Sequence, residues 1–348
     1  MDRVPSHASR RADAGSADPT ASGDPTASGK RTASGSVGDS GASPHPTDPH
    51  WKPQCWVNGF AVDPHAPALS VSDRGFTLGD GCFETMRAYR GVIFRLDDHL
   101  ERLARTAASL AIPLPPHLDE TVSDAQRALS ASRVDAGVRL TLSRGTGTGV
   151  APTTGVAPTS VLLISHLPVF PAAMAEGGPG LAVRVARGRR NEWASTAGLK
   201  TLAYVDAVMA LADARAAAAD DALILDTAGH LSEGTSSNIF VVLRGMVHTP
   251  PLSCGALPGI TRRTVLEALA DFDIPVDDSP IPADALDRAD EIFLTSSLRE
   301  IAAVGSVDGR PVGASGGAGP VTRRLQAAYR ERVAAAVADA MSATPLVS

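Results

Sequence analysis

The chain has 348 residues, enough for two domains of on the order of 150 residues each. Apolar residues make up 43% and charged residues 20%, the balance of a soluble globular protein. A net charge of −6 leaves no electrostatic footprint for nucleic acid, and no apolar run approaches the ~18 residues that span a bilayer.

Residues 1–50 consist of Ser, Gly, Ala, Thr, Asp and Pro with almost no large apolar residue, and they repeat themselves: Asp18-Pro19-Thr20-Ala21-Ser22-Gly23 is followed by Asp24-Pro25-Thr26-Ala27-Ser28-Gly29. Such a segment buries too little apolar area to offset its ordering entropy, so a disordered tail is expected. No apolar stretch follows Met1-Asp2-Arg3-Val4-Pro5, which argues against a secretory signal and for the cytoplasm. Cys55, Cys82 and Cys254 are odd in number and far apart, with no C-x-x-C pair. That disfavours disulfides and a cysteine-rich zinc site, and no metal is expected.

Order is predicted to begin near Trp56-Val57-Asn58-Gly59, a short strand and hairpin turn. A helix follows from Asp97, a good N-cap, to about Ala111, with Leu96, Leu100, Leu103, Ala107 and Leu110 as its buried stripe. Val138, Leu140 and Leu142 alternate as a strand, and residues 161–165 form a continuous apolar one. The Pro- and Gly-rich stretch from Pro168 to Gly180 reads as a linker. Beyond it come a strand at 181–185 and a helix using Val205, Val208, Met209 and Ala212. Strands at 222–226, 238–243 and 291–295, a helix from Pro258 to about Ala270 and a terminal helix over 321–340 complete the pattern. The expected organisation is a small α/β domain over 56–168, a linker over 169–179 and a larger domain over 180–342. The class is mixed, α+β or a barrel-like α/β arrangement.

Lys200 stands out, because Lys30, Lys52 and Lys200 are the only lysines among 32 basic residues and the other two lie in or at the edge of the tail. Arginine cannot serve as a nucleophilic amine and lysine can, although a lone lysine is also what drift on a tolerant surface leaves. Four further features accompany it. Ser72 to Arg87 holds a tight Gly79-Asp80-Gly81 turn leading into a strand. Arg102 sits on the flank of its helix's apolar stripe, either solvated or reaching into a cleft where its fork could bind phosphate. Glu233 precedes Gly234-Thr235-Ser236-Ser237 at the entry to a buried strand, either facing water or meeting a cation or proton donor. Gly255 to Arg262 places Pro258 and Gly259 before a helix whose first N–H groups, with the Thr261 hydroxyl, suit an anion or belong to an ordinary capped helix.

Taken together and in order, these five features resemble the class IV family of pyridoxal-phosphate enzymes, which includes branched-chain aminotransferases, D-amino-acid aminotransferases and aminodeoxychorismate lyases. The resemblance runs from about Trp56 to Val312 and implies fold type IV, with pyridoxal 5′-phosphate as cofactor. It implies that Lys200 forms the internal aldimine, that Glu233 pairs with the pyridinium nitrogen and that Arg102 holds the phosphate. Ile260 and Thr261 would donate backbone N–H groups to that phosphate, and Ser297 would touch it. Phe83 would line the substrate pocket, and Tyr204 stands one residue earlier than the tyrosine common in branched-chain enzymes. The implied assembly is a homodimer whose sites borrow small-domain residues from the partner.

The chain departs from its relatives at Ala203, where many carry Asn, and in Ser143-Arg144-Gly145-Thr146-Gly147-Thr148-Gly149, where no arginine follows the Arg-Gly pair in the place that binds carboxylate in D-amino-acid enzymes. Ser143-Arg144-Gly145 and Ala197-Gly198-Leu199-Lys200 look most like the lyases, whereas Glu233 to Asn238 and Glu300 look more like the transaminases. The reading is an aminotransferase acting on an amino acid and a 2-oxo acid. The alternatives are 4-amino-4-deoxychorismate lyase, which releases pyruvate and 4-aminobenzoate, and a non-catalytic cofactor-binding protein.

Overall fold

The computed structural model describes residues 51–152, 155–314 and 316–343, so the expectation for residues 1–50 lies outside the described residues. In the first half the strands are β1 (Gln54–Val57), β2 (Phe60–Val62), β3 (Gly81–Tyr89), β4 (Val92–Ile93), β5 (Ala136–Ser143) and β6 (Thr159–Ser165), with helices α1 (Arg74–Leu78), α2 (Leu96–Ser109) and α3 (Leu118–Ser132). They form one antiparallel sheet in the order β2-β1-β6-β5-β3-β4. Asn58 and Gly59 turn β1 into β2 with φ of 50° and 88°, the left-handed pair that a two-residue hairpin requires. On β5 the alternating Val138, Leu140 and Leu142 are buried against α2 and α3 through Leu103, Val122 and Leu129.

The second half contains β7 (Leu181–Arg190), β8 (Asp221–Asp226), β9 (Leu231–Gly234), β10 (Asn238–Leu243), β11 (Met246–His248), β12 (Val276–Asp277), β13 (Glu291–Ser296), β14 (Glu300–Val307) and β15 (Arg310–Pro311), with helices α4 (Val205–Ala216), α5 (Ile260–Asp271) and α6 (Pro320–Ala343). Its sheet runs β12-β11-β10-β13-β14-β7-β8-β9, with β15 on β14. This order forces the sheet to curl. Laid flat, β9 and β10 would stand five spacings of ~4.8 Å apart, about 24 Å. Only residues 235–237 join them, and four Cα steps reach about 15 Å at most. The barrel-like curvature follows, and it brings Glu233 on β9 toward the start of β10. One face is filled by an aliphatic cluster including Leu223, Ile239 and Leu294; the other, with Phe240 stacked on Phe293, is covered by α5 and α6.

Two local expectations are corrected. The cap of α2 is Arg95, in the left-handed region with no side-chain bond, and Asp97 lies inside the first turn beside Asp98. There the two acids face the positive end of the helix, and Asp98 pairs with Arg95 and Arg263. On α4 the stripe of Val205, Val208, Met209 and Ala212 is real in its spacing but faces outward, with Val205 68% exposed. The helix buries Ala207 and Ala214 instead, since alanines one heptad apart let it approach the sheet closely.

Candidate active site

β3 and the segment after β7 meet at a seam between the sheets. The Phe83 N–H donates to the Lys200 carbonyl at 3.0 Å, the Leu202 N–H donates to the Gly81 carbonyl at 2.9 Å, and Cys82 bridges to Thr201. Gly81 permits the approach, since a Cβ there would lie 2.8 Å from Leu202 Cδ1 on the Lys200 segment as well as 2.4 Å from the Leu142 carbonyl oxygen on β5. Lys200 is thus held through its main chain on the wall of a cavity of about 370 Å³. The same cavity gathers Glu233 and Tyr204 with Phe83, Arg102, Ile260, Thr261 and Ser297, which is every residue nominated from the sequence.

The Lys200 amine lies 4.4 Å from the centroid of the Phe83 ring and 5.6 Å from that of Tyr204. Removal from water, followed by the nearby Arg102 cation, brings its pKa down from 10.5 to about 8, against the opposing pull of Glu84 and Glu233. A useful share of neutral, nucleophilic amine therefore exists near neutral pH.

Arg102 is buried rather than solvated. Its Nε and one Nη donate to the two oxygens of Glu84 at 2.8 and 2.7 Å, and the other Nη donates to the Pro258 carbonyl at 2.8 Å. Three of its five N–H groups are thereby used, and two remain for a ligand. Burial would raise the Glu84 carboxyl, but hydrogen bonds from Arg102 and His99 overturn that and hold it at about 2. Facing Arg102, α5 opens at Gly259 with no side-chain cap, so the first-turn N–H groups of Ile260 and Thr261 are available to an anion. A Cβ on Gly259 would lie 1.9 Å from Asn238 Oδ1, and the Asn238 amide donates to the Leu257 carbonyl at 2.8 Å. β10 thus sets the position of this helix end.

At the other side, Glu233 accepts from the Leu257 N–H at 2.9 Å and pairs with Arg190. Burial raises its pKa, and Arg190 only partly opposes the rise. Among the described residues, Ser237 Oγ and Thr295 Oγ1 are buried without a hydrogen-bond partner, and both residues line the cavity. Orphaned hydroxyls in such a place suit a polar ligand. The donor set as a whole fits a phosphorylated pyridine aldehyde: the Arg102 cation, hydroxyls and a helix N-terminus suit the phosphate, a carboxylate suits the ring nitrogen, and a lowered-pKa amine suits the aldehyde.

Sequence reasoning missed four contributors. Glu84 fixes Arg102, Arg190 holds Glu233, and Asn238 seats α5. Arg139 stands over the Phe83 ring at 3.8 Å, with no carboxylate partner among the described residues. An acid inside the apolar run of β3 was a readable sign for Glu84; the others depend on contacts far apart in the chain. Arg144, by contrast, is committed to Asp80 and to the carbonyls of Leu110 and Ala111.

The profile of the family described as amino-transferase class IV matches residues 81–307. The chain belongs to the class IV aminotransferase family. D-alanine aminotransferase of Bacillus licheniformis is 30% identical over 284 residues, covering 79% of this chain and 95% of that protein. Among solved structures, the branched-chain amino acid aminotransferase of Escherichia coli superposes with a TM-score of 0.71 at 29% identity, over 80% of this chain and 92% of that one. The 4-amino-4-deoxychorismate lyase of Pseudomonas aeruginosa gives 0.70 at 32% identity, over 80% and 98%. The two-sheet α/β architecture of this class IV enzyme is that of fold type IV.

Proposed function

We propose that this enzyme transfers an amino group between an amino acid and a 2-oxo acid, with pyridoxal 5′-phosphate carried by Lys200. The observation that carries the reading is the placement, in one cavity, of a lysine amine brought to about 8 between a buried carboxylate and an anion cradle. The cofactor, when bound, supplies an electron sink for negative charge at the substrate's Cα.

The chain's own residues do the rest. Arg102, the α5 N-terminus and the Ser297 hydroxyl would hold the phosphate, and Glu84 keeps the Arg102 fork oriented. Glu233, whose anionic form is favoured by Arg190 and the Leu257 N–H, would accept from a protonated ring nitrogen and so help keep it protonated. Lys200 would hold the cofactor through Nζ, and its free amine would take and return the proton at the substrate's Cα. Phe83 and Tyr204 enclose that proton path with their rings in edge contact at 5.2 Å. Arg139, at the mouth, offers a cation to a substrate carboxylate.

The outward stripe of α4 supports a homodimer. Beneath it a second cavity of about 690 Å³ shares Tyr204, Glu233 and Leu257 with the site, so a partner seated there would border the chemistry. No helix among the described residues is long and apolar enough to cross a membrane.

The lyase reading draws on the likeness to the Pseudomonas aeruginosa structure. Two assays on the purified enzyme separate the readings. Amino acids of both hands are supplied with 2-oxoglutarate, and aminodeoxychorismate is supplied with pyruvate release as the readout. Turnover in the first supports the aminotransferase; turnover only in the second replaces it with the lyase. Cofactor binding without turnover in either refutes both and leaves the non-catalytic protein.

A further inference from the structure

Away from the catalytic cavity, Asp226, His230 and Cys254 bring a carboxylate, an imidazole and a thiol together. Their ligand atoms all lie within 4.8 Å of one another. Asp226 ends β8, His230 follows on the turn into β9, and Cys254 closes the 3-10 turn Leu252–Cys254. Asp226 and Cys254 are buried, while the His230 side chain is 35% exposed and opens the cluster to solvent. The turn is set by one main-chain bond, from the Asp226 N–H to the His230 carbonyl at 2.8 Å, and one to the side chain, from the His230 N–H to Asp226 Oδ1 at 2.7 Å. The turn thus carries two of the three ligands, and the His230 N–H orients the Asp226 carboxylate.

We propose that Asp226, His230 and Cys254 form a binding site for one zinc-class divalent cation, with water in the fourth position. The geometry suits a metal better than a hydrogen bond. His230 Nδ1 and Asp226 Oδ2 are 3.3 Å apart. That is long for an N–H···O bond, whose usual length is ~2.9 Å. It equals the separation of two ligands bound tetrahedrally at ~2.0–2.1 Å, about 3.3 Å. A thiolate at ~2.3 Å would then stand about 3.6 Å from either, a shift of about an ångström at most for Sγ. The mixed imidazole, thiol and carboxylate set selects zinc over calcium or magnesium, which take oxygen ligands.

Charge also balances. Binding expels the Cys254 proton to solvent, and the resulting thiolate with the Asp226 carboxylate neutralises a dication; nothing is oxidised or reduced. Without the ion, burial and the neighbouring Asp226 push the thiol up to about 12, so it stays protonated. The ion would tie the β8–β9 turn to the loop after Cys254. That loop carries the Leu257 N–H onto Glu233 and the Pro258 carbonyl onto Arg102. The site is thus a staple for the catalytic loop, and it holds whichever reaction the enzyme performs.

The test is titration of chelator-treated, reduced, full-length protein with cobalt(II), a coloured stand-in for zinc. One equivalent should bind, with the visible bands of a tetrahedral ion and a near-ultraviolet thiolate-to-cobalt band, and zinc but not magnesium should displace it. Cys254→Ser should abolish the thiolate band. Cys254→Ser and His230→Ala should each weaken binding by more than the ~10–100-fold typical of losing an outer-shell partner. Zinc should raise the melting temperature of the unaltered protein and not that of Cys254→Ser, a readout that does not need the variants to keep full stability. Failure to saturate at one equivalent, binding unchanged in both variants, or equal competition by magnesium would each overturn the proposal.

Discussion

The reactivity of Lys200 toward a small acylating reagent should titrate near pH 8. Its pKa falls from 10.5 to about 8 because its amine is withdrawn from water and sits near Arg102. At pH 7.5 about a quarter of the amine is then neutral, against about one part in a thousand for an unperturbed lysine, a gain of roughly 240-fold. The sign is fixed: the neutral form grows as pH rises through about 8 and is scarce below about 6. Competitive labelling of cofactor-free protein with trace acetic anhydride, followed by peptide mapping, reads it directly. With only three lysines the map is simple, and exposed Lys52 serves as the reference amine in the same chain. Arg102→Met removes a neighbouring cation and should move the Lys200 midpoint upward. A Lys200 midpoint above pH 10, or a profile that tracks Lys52, would refute the argument that this environment prepares the amine.

Three other outcomes are expected. Glu84→Gln should destabilise the protein by about 3 kcal/mol in urea unfolding at pH 7, since a carboxyl lowered from 4.5 to about 2 stabilises the fold above pH 4.5 and loses that contribution as pH falls toward 2. The variant's stability should accordingly change less between pH 5 and 3 than that of the unaltered protein. Gly259→Ala should cost about 1–3 kcal/mol and weaken cofactor retention in dialysis, because its Cβ would lie 1.9 Å from Asn238 Oδ1 and the start of α5 must move. Arg139→Met should raise KM for carboxylate substrates with little change in the melting temperature, as Arg139 has no ion pair to lose among the described residues.

What could be read in the sequence, and what could not, divides along the range of the contacts involved. Alternation at Val138, Leu140 and Leu142 and the apolar run at 238–243 are local signals, and β5 and β10 lie where they indicate. Lys200 stands out as the one lysine beyond the tail and its edge, whereas Glu233 and Arg102, which taken singly read as well as solvated groups, are singled out by the resemblance of five motifs in order. Their settings could not be read, because Glu84 and Arg102 are 18 residues apart and Arg190 and Glu233 are 43 apart. Nothing in either short stretch names the other. The case of α4 is sharper, since both of its faces are apolar and periodicity cannot choose between them. Val205, Val208 and Met209 satisfy the helical spacing, yet Ala207 and Ala214 turn inward. The choice rests with what the helix packs on: β7 and β8 admit a methyl-sized face at close range, and the larger side chains are left on the surface. A period of 3.6 says which residues share a side; only the opposing surface decides which side is buried.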